Sequence, residues 1–266
     1  MKLMLIGIKL VLFFNFLFIN NTLKASPTDA IILDFFERPP YFILVKGNNT
    51  ISDGVVFHIV EKIFKTAKIP YQYEMVPFPR TVLKIKKNDT KICALSVYKN
   101  KDREEFSYFT SPIFHDKKTI FVYRKGDERF NNLKVTDDVF IKSDLKYLAK
   151  IGFSQGEYLD QMLFKYKQIK PMDNQNPKAI GVVYTSSDIN SMFSDILNKK
   201  ADYMLSGRNE AEFLIQNDNK LKSGLAIKEF KDQPPGEFRY IMCSKNVGIE
   251  TINKLNEAIK KVVKKY

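Results

Sequence analysis

The residues of this chain best suited to chemistry are positive. Arg103 lies in the run Lys101-Asp102-Arg103-Glu104-Glu105. A guanidinium is a planar fork of donors that stays charged at any working pH and can hold a carboxylate through two parallel bonds. Arg80 follows Pro77-Phe78-Pro79, and Arg208 follows Ser206-Gly207; both are further candidates to meet an acid group. Tyr41 and Phe78 can supply the apolar or stacking walls that small-molecule pockets use. A helical pattern opens near Gln155 and Gly156, and the first N–H groups of a helix are ready anion donors. The chemistry these residues share is capture of a small anion. Each also has a plainer reading. Arg103 can pair with Glu104 or Glu105 at the surface, the rings can be core, and the N–H groups can be an ordinary helix cap.

Catalytic groups are poorly supplied. The sequence has no serine-nucleophile motif and no CxxC spacing, and its only histidines are His58 and His115. A zinc site of the usual kind therefore lacks ligands, and no cofactor is expected. A reaction such as dehydration would need a cleft acid, Glu37 or Glu210, with a displaced pKa. The formal charge is +13, and it falls to about +10 when Lys2, Lys9 and Lys24 are discounted with the N-terminal segment. The positive charge is spread along the chain, and only Lys260, Lys261, Lys264 and Lys265 form a dense cluster. That cluster falls at a helix C-terminus, where cations complement the dipole. With no nucleic-acid motif present, the charge reads as a solvated face and no nucleic-acid partner is expected.

The elements that must position these residues follow from periodicity. Residues 30–36 read as an apolar strand ended by Glu37-Arg38-Pro39-Pro40-Tyr41, because paired prolines cannot continue a central strand. Residues 56–68 carry apolar positions at helical spacing, 71–76 alternate as a strand, 77–87 form a second helix and 92–97 a third strand. Thr110-Ser111-Pro112 breaks the pattern. A second unit then offers strands at 119–124, 151–154, 180–184, 203–206 and 225–230, with helices from 157, at 188–199 and at 209–216. After Gln233-Pro234-Pro235-Gly236 come a strand at 238–244 and an amphipathic helix over 249–264. The alternation predicts an α/β fold with largely parallel sheets. Two breaks flanking the second unit predict a chain that crosses to it and returns, which makes a two-strand hinge.

The N-terminus has Lys2 and Lys9 around an apolar run reaching Ile19, then polar residues and the small Ala25 before Ser26. This is the pattern of a secretory signal peptide over residues 1–25, with cleavage near Ala25/Ser26. The run falls short of the roughly 20 apolar residues that span a bilayer. A periplasmic protein is expected, and its two cysteines permit one disulfide.

The order of these features resembles the type II periplasmic solute-binding proteins, the family 3 or amino-acid-binding-like branch. The resemblance rests on Ile31 to Tyr41, on Pro77-Phe78-Pro79-Arg80, and above all on Ser96 through Arg103 to Phe106-Ser107-Tyr108-Phe109-Thr110-Ser111-Pro112-Ile113. Ser154-Gln155-Gly156-Glu157-Tyr158 and Leu197-Asn198-Lys199-Lys200-Ala201-Asp202 extend it over nearly the whole chain, with Lys where the family commonly has Gly. It implies lobe 1 at 26–115 and 238–266, lobe 2 at 120–232, and hinges at about 115–120 and 232–238. It also implies that Arg103 grips a ligand carboxylate, that Ser96 joins it, and that Cys93 and Cys243 lie on neighbouring strands able to bridge. The acids that hold the ligand amine in such proteins are not matched. Arg208 stands near one such position and Phe35 at another, leaving Glu37 or Glu210 as substitutes, so the expected ligand carries a carboxylate and is either an amino acid or an organic acid lacking the amine. The implied function is binding a small polar solute by closure of two lobes, as a monomer, for an ABC transporter. The alternatives are a sensor or scaffold module with a degenerate cleft, and a dehydratase-like enzyme on the same fold.

Overall fold

The computed structural model describes residues 30–170 and 175–263. The expected signal peptide lies outside the described residues, as do Lys264 and Lys265. Thirteen strands are described: β1 (Ile31–Phe35), β2 (Ile43–Leu44), β3 (Ile51–Asp53), β4 (Tyr71–Met75), β5 (Ile92–Tyr98), β6 (Ser107–Phe109), β7 (Phe114–His115), β8 (Thr119–Arg124), β9 (Tyr147–Lys150), β10 (Val182–Thr185), β11 (Tyr203–Gly207), β12 (Leu225–Lys228) and β13 (Phe238–Ser244). They build two separate mixed sheets and a small β2–β3 pair.

The first sheet has the order β4-β1-β5-β13-β6, with β7 also on β13. β1 is parallel to β4 and β5, whereas β13 returns antiparallel between β5 and β6. All seven residues of β5 are buried, as expected for a strand covered on both faces. The helices Val55–Ala67 and Ile249–Val262 cover one face through Val60, Ile63, Phe64, Leu255 and Ile259. The helix Phe78–Lys87 covers the other through Val82 and Ile85. The second sheet has the order β10-β9-β11-β8-β12. Helix Glu157–Lys167 packs on one face with Leu159 and Leu163, and helix Ile189–Leu197 on the other with Met192, Phe193 and Ile196. This is a two-lobed α/β architecture.

The chain passes from the first sheet to the second between His115 and Thr119, and returns between Lys228 and Phe238. The two passages touch. Asp116 N–H donates to Glu237 C=O at 3.0 Å, and a Cβ on Gly236 would sit 1.9 Å from the Asp116 carbonyl oxygen. Only glycine permits that approach. Gly236 of the Gln233-Pro234-Pro235-Gly236 break is thus required where the two passages run side by side.

Cys93 and Cys243 face each other across the β5–β13 ladder and form a disulfide inside the first core. The bridge closes a loop of 150 residues in sequence, which in the chain-entropy model contributes about 5 kcal/mol. A Cys93→Ala/Cys243→Ala double variant should therefore show a clearly lower urea midpoint, with a steeper slope because its unbridged denatured chain exposes more surface. Coincident midpoints would show that the bridge adds nothing to stability.

One expected strand is displaced, and three short helices are not foreseen. The strand expected at 151–154 is instead Tyr147–Lys150, fixed by parallel pairing with Val182–Thr185 and by Tyr147 opposite Tyr203. The apolar Ile151 and Phe153 belong to the turn beyond it. Short elements at Lys101–Glu104, Thr136–Ile141 and Asn219–Gly224 also form where no helix is expected.

Candidate functional site

A cavity lies between the two lobes, with about 630 Å³ of free space counting its mouth. It opens where several strands end: Phe36 and Arg38 follow β1, Tyr98 ends β5, Lys150 ends β9 and Gly207 ends β11. Ligands of open α/β sheets bind at such carboxyl ends.

Arg103 is on the short helix Lys101–Glu104, whose N-cap Asn100 side chain accepts from the Arg103 N–H at 3.0 Å. Its side chain is 1% exposed and lines the cavity. One terminal nitrogen donates to the Tyr98 carbonyl at 2.7 Å and the other to the Gly152 carbonyl of the second lobe at 3.3 Å. Nε is buried without a hydrogen-bond partner, and among the described residues no carboxylate lies in ion-pair range. Glu104 pairs with Lys99 instead, at 2.7 Å. Burial pulls the Arg103 guanidinium down to about 10, with Asp160 and Asp102 only partly compensating. It remains charged at neutral pH. An arginine of this kind has donors to spare and no counter-ion.

Ser96 stands beside it on the cavity wall. It has φ 62, uncommon for a non-glycine residue, and its Oγ is buried without a partner. The register shows why. Tyr240 pairs with Val97 and Met242 with Ala94, so β5 carries one extra residue opposite β13. A bulge of this kind turns a side chain out of the regular alternation, and backbone strain of this sort collects at functional sites.

Arg239 and Asp116 form the floor. The guanidinium lies 4.5 Å from the ring centroids of both Tyr41 and Tyr98, donates to the Ser96 carbonyl at 2.8 Å, and pairs with Asp116 at 2.5 Å. Tyr41 and Tyr98 hydroxyls donate to the same carboxylate at 2.9 and 2.6 Å. Burial alone would raise the Asp116 carboxyl, but Arg239 and the Tyr98 hydroxyl outweigh it and hold it below the usual carboxylate range.

Three side chains from different elements form the aromatic wall. Phe153 of the second lobe packs edge-on against Phe78 at 5.6 Å between centroids, and tilted against Phe36 at 5.9 Å. Cations lie over these rings: Arg103 over Phe78 at 5.1 Å, Arg38 over Phe153 at 5.5 Å and Lys150 over Phe153 at 5.2 Å. Arg38 is neutralised across the lobes by Glu210, with contacts of 2.8 and 3.1 Å. Lys150 donates to the carbonyls of Ser186 and Ser187, which leaves one of its three N–H groups. Burial first, then the neighbouring Arg38, lowers its ammonium to about 8. Because its folded pKa is depressed, the unfolded chain holds more protons between about pH 8 and the ordinary lysine value, and this group adds stability as pH rises through that window. Lys150→Met should accordingly raise the melting temperature at pH 7 by about 2 °C or more; a lower melting temperature would show that its carbonyl bonds outweigh its burial.

The sequence-derived candidates divide. Phe78, Ser96, Arg103 and Gln155 line one cavity. Tyr41 lies beneath it, buried, on the Arg239–Asp116 floor. Arg208 does not line it and instead pairs with Glu212 and Glu229. Arg80 and Glu37 are not among its lining residues either. At Gly156 the expected anion role is already filled. Gln155 N–H donates to Asp160 at 2.8 Å and Gly156 N–H to the Ser154 hydroxyl at 3.2 Å. A Cβ on Gly156, whose φ is 94, would run into the Glu237 carboxylate. Burial lifts the Asp160 carboxyl to about 6, and its bonds from Ser154 and Gln155 offset only part of that. Asp202 of the expected loop motif is structural, accepting from Arg124 at 2.5 Å and Arg129 at 2.7 Å. Arg38, Lys150 and Arg239 were not singled out from the sequence. Only the topology, which brings three strand ends together, marks them.

The backbone superposes on known structures over most of its length. An ancestral arginine-binding protein bound to arginine matches with a TM-score of 0.65 and 15% identity, over 87% of this chain and 91% of that one. The arginine-, lysine-, histidine-binding protein ArtJ from Geobacillus stearothermophilus matches with 0.66 and 14%, over 88% and 89%. The VFT2 domain of BvgS from Bordetella pertussis matches with 0.63 and 16%, over 88% and 89%. The fold is that of the two-lobed substrate-binding proteins. The predicted two-lobed α/β fold is thereby borne out. The sequence itself matches no protein-family model and no curated protein.

Proposed function

We propose that this protein binds a small anionic solute between its lobes and presents it, by closure about the two passages near 115–120 and 232–238, to a membrane transporter. The observation that carries this reading is Arg103: a fully buried guanidinium with an unpartnered Nε, lining an interlobe cavity beside the unpartnered Ser96 hydroxyl. A buried charge without a counter-ion is expensive, and a carboxylate ligand supplies what is missing. The structural neighbours include substrate-binding proteins of amino-acid transporters, which supports solute delivery on this fold, although fold alone does not assign function. Export to the periplasm after removal of residues 1–25 fits the disulfide, since such bridges persist in oxidising compartments. Cargo binding rather than catalysis fits the cavity, whose one lining carboxylate, Glu210, is engaged by Arg38.

The test is thermal melting against small carboxylates, phosphates and amino acids at millimolar concentration. A ligand present at about 100 times its Kd should add roughly 2.7 kcal/mol of stability, a shift of several degrees. If no member moves the melting temperature, the protein is a sensor or scaffold module with a degenerate cleft.

A further inference from the structure

Two positive groups line the cavity without a carboxylate partner among the described residues, and they stand on opposite lobes. Arg103 belongs to the first lobe and Lys150 to the end of β9 in the second. Each lies over one ring of the Phe78–Phe153 pair. The other two cations have carboxylate partners, Arg38 in Glu210 and Arg239 in Asp116, although Arg239 Nε, like Arg103 Nε, has no hydrogen-bond partner. The same accounting shows what the site lacks. Glu210, 1% exposed, would be the natural partner for a ligand ammonium, but both its oxygens face Arg38 and one also accepts from Ser206. Asp116 is enclosed by Arg239 and two tyrosines.

We infer, building on the reading of the cavity as an anion site, that its ligand is a short linear dicarboxylate without an amino group, one carboxylate on Arg103 and Ser96 and the other on Lys150, with its carbon spine against Phe78 and Phe153. A ligand spanning both cations ties the lobes together, so the second charge is a device for closure as well as affinity. The rings between the cations favour an apolar spacer over a compact dianion such as phosphate, whose charges share one centre. An α-amino group would enter a cavity with surplus positive charge and no free carboxylate, so an amine is rejected by repulsion as well as by lack of a partner.

Lys150 supplies a signature that a merely structural lysine would not. It is faced by Arg38 and Glu210 across the cavity and by Asp188 at the start of helix Ile189–Leu197, and its ammonium titrates near 8. A carboxylate seated on it restores the charged form. Binding at pH 8.5 therefore takes up a fraction of a proton.

The experiment is calorimetry of the full protein at pH 7 with succinate, glutarate, glutamate, butyrate and inorganic phosphate, repeated for the best ligand at pH 8.5 in two buffers of different ionisation enthalpy, on wild type and Lys150→Met. The dicarboxylates should bind about 10–100-fold tighter than butyrate, the range expected for one extra charge-assisted contact. Glutamate should bind more weakly than glutarate, Lys150→Met should bring the dicarboxylate-to-butyrate ratio to within about threefold of one, and proton uptake should vanish in the variant. Butyrate, glutamate or phosphate binding as tightly as glutarate, or a selectivity ratio untouched in Lys150→Met, overturns the dicarboxylate assignment while leaving the anion site standing. If nothing in the panel binds, the anion site falls with it. Circular dichroism of the variant separates loss of contact from loss of fold.

Discussion

Arg103→Ala will weaken binding of the anionic ligand by on the order of 2–5 kcal/mol, the range for truncating one partner of a buried, hydrogen-bonded charge pair. The side chain is 1% exposed and its Nε has no protein partner, so the ligand is its natural counter-ion and nothing nearby can substitute. Arg103→Lys will recover little. An ammonium cannot reproduce two donors to the Tyr98 and Gly152 carbonyls and still offer a fork to a carboxylate. Lys261→Ala, on an exposed face of the C-terminal helix, serves as the charge control and should stay within about 0.5 kcal/mol. Calorimetry on these variants decides the matter. Equal affinities for Arg103→Ala and Lys261→Ala would remove Arg103 from the site.

The second large effect falls on stability. Asp116 and Arg239 are each 1% exposed at the side chain and paired at 2.5 Å. Asp116→Ala leaves Arg239 buried between Tyr41 and Tyr98 with no counter-charge. Breaking such a pair from one side costs about 3–5 kcal/mol, or roughly 6–20 °C in melting temperature for a chain of this size. The pH dependence has a fixed sign. The Asp116 carboxyl is held below its ordinary value in the fold, so its contribution is complete above the unfolded carboxylate pKa. It is lost as pH falls through the lower, folded value. Wild type should thus lose stability on acidification into that range, and Asp116→Ala should lose less over the same interval. A variant melting within about 2 °C of wild type at neutral pH would mean that the tyrosine sandwich alone holds Arg239.

Both predictions depend on features that the sequence reveals unequally. The helix at 78–87 is legible because one buried face leaves a helical period in the residue types, and the strands at 31–35 and 119–124 because burial on both faces leaves short apolar runs. The strand at 147–150 is not legible, because its place is decided by pairing with residues more than thirty positions away. Arg103, Ser96 and Phe78 can be named from the Lys101-to-Pro112 run and the Pro77-Phe78-Pro79 start. Arg38 and Lys150 cannot, since each is one cation among forty-three lysines and arginines until the fold brings their strand ends together. Arg208 and Gly156 mislead for one physical reason. A guanidinium or a helix start attracts an acid, and here the chain supplies its own: Glu212 and Glu229 for Arg208, Asp160 and Glu237 for the helix start.

Native mass spectrometry of the protein purified from its own cells tests the central claim most directly, namely that the interlobe cavity holds a small anion through Arg103. The account predicts a 1:1 noncovalent adduct of low mass. Released by denaturation, it should read as an acid in negative-ion mode, and it should be missing from Arg103→Ala prepared in the same way. An adduct retained in full by Arg103→Ala, or a wild-type protein that carries no adduct and gains none on titration with millimolar carboxylates and phosphates, would contradict it.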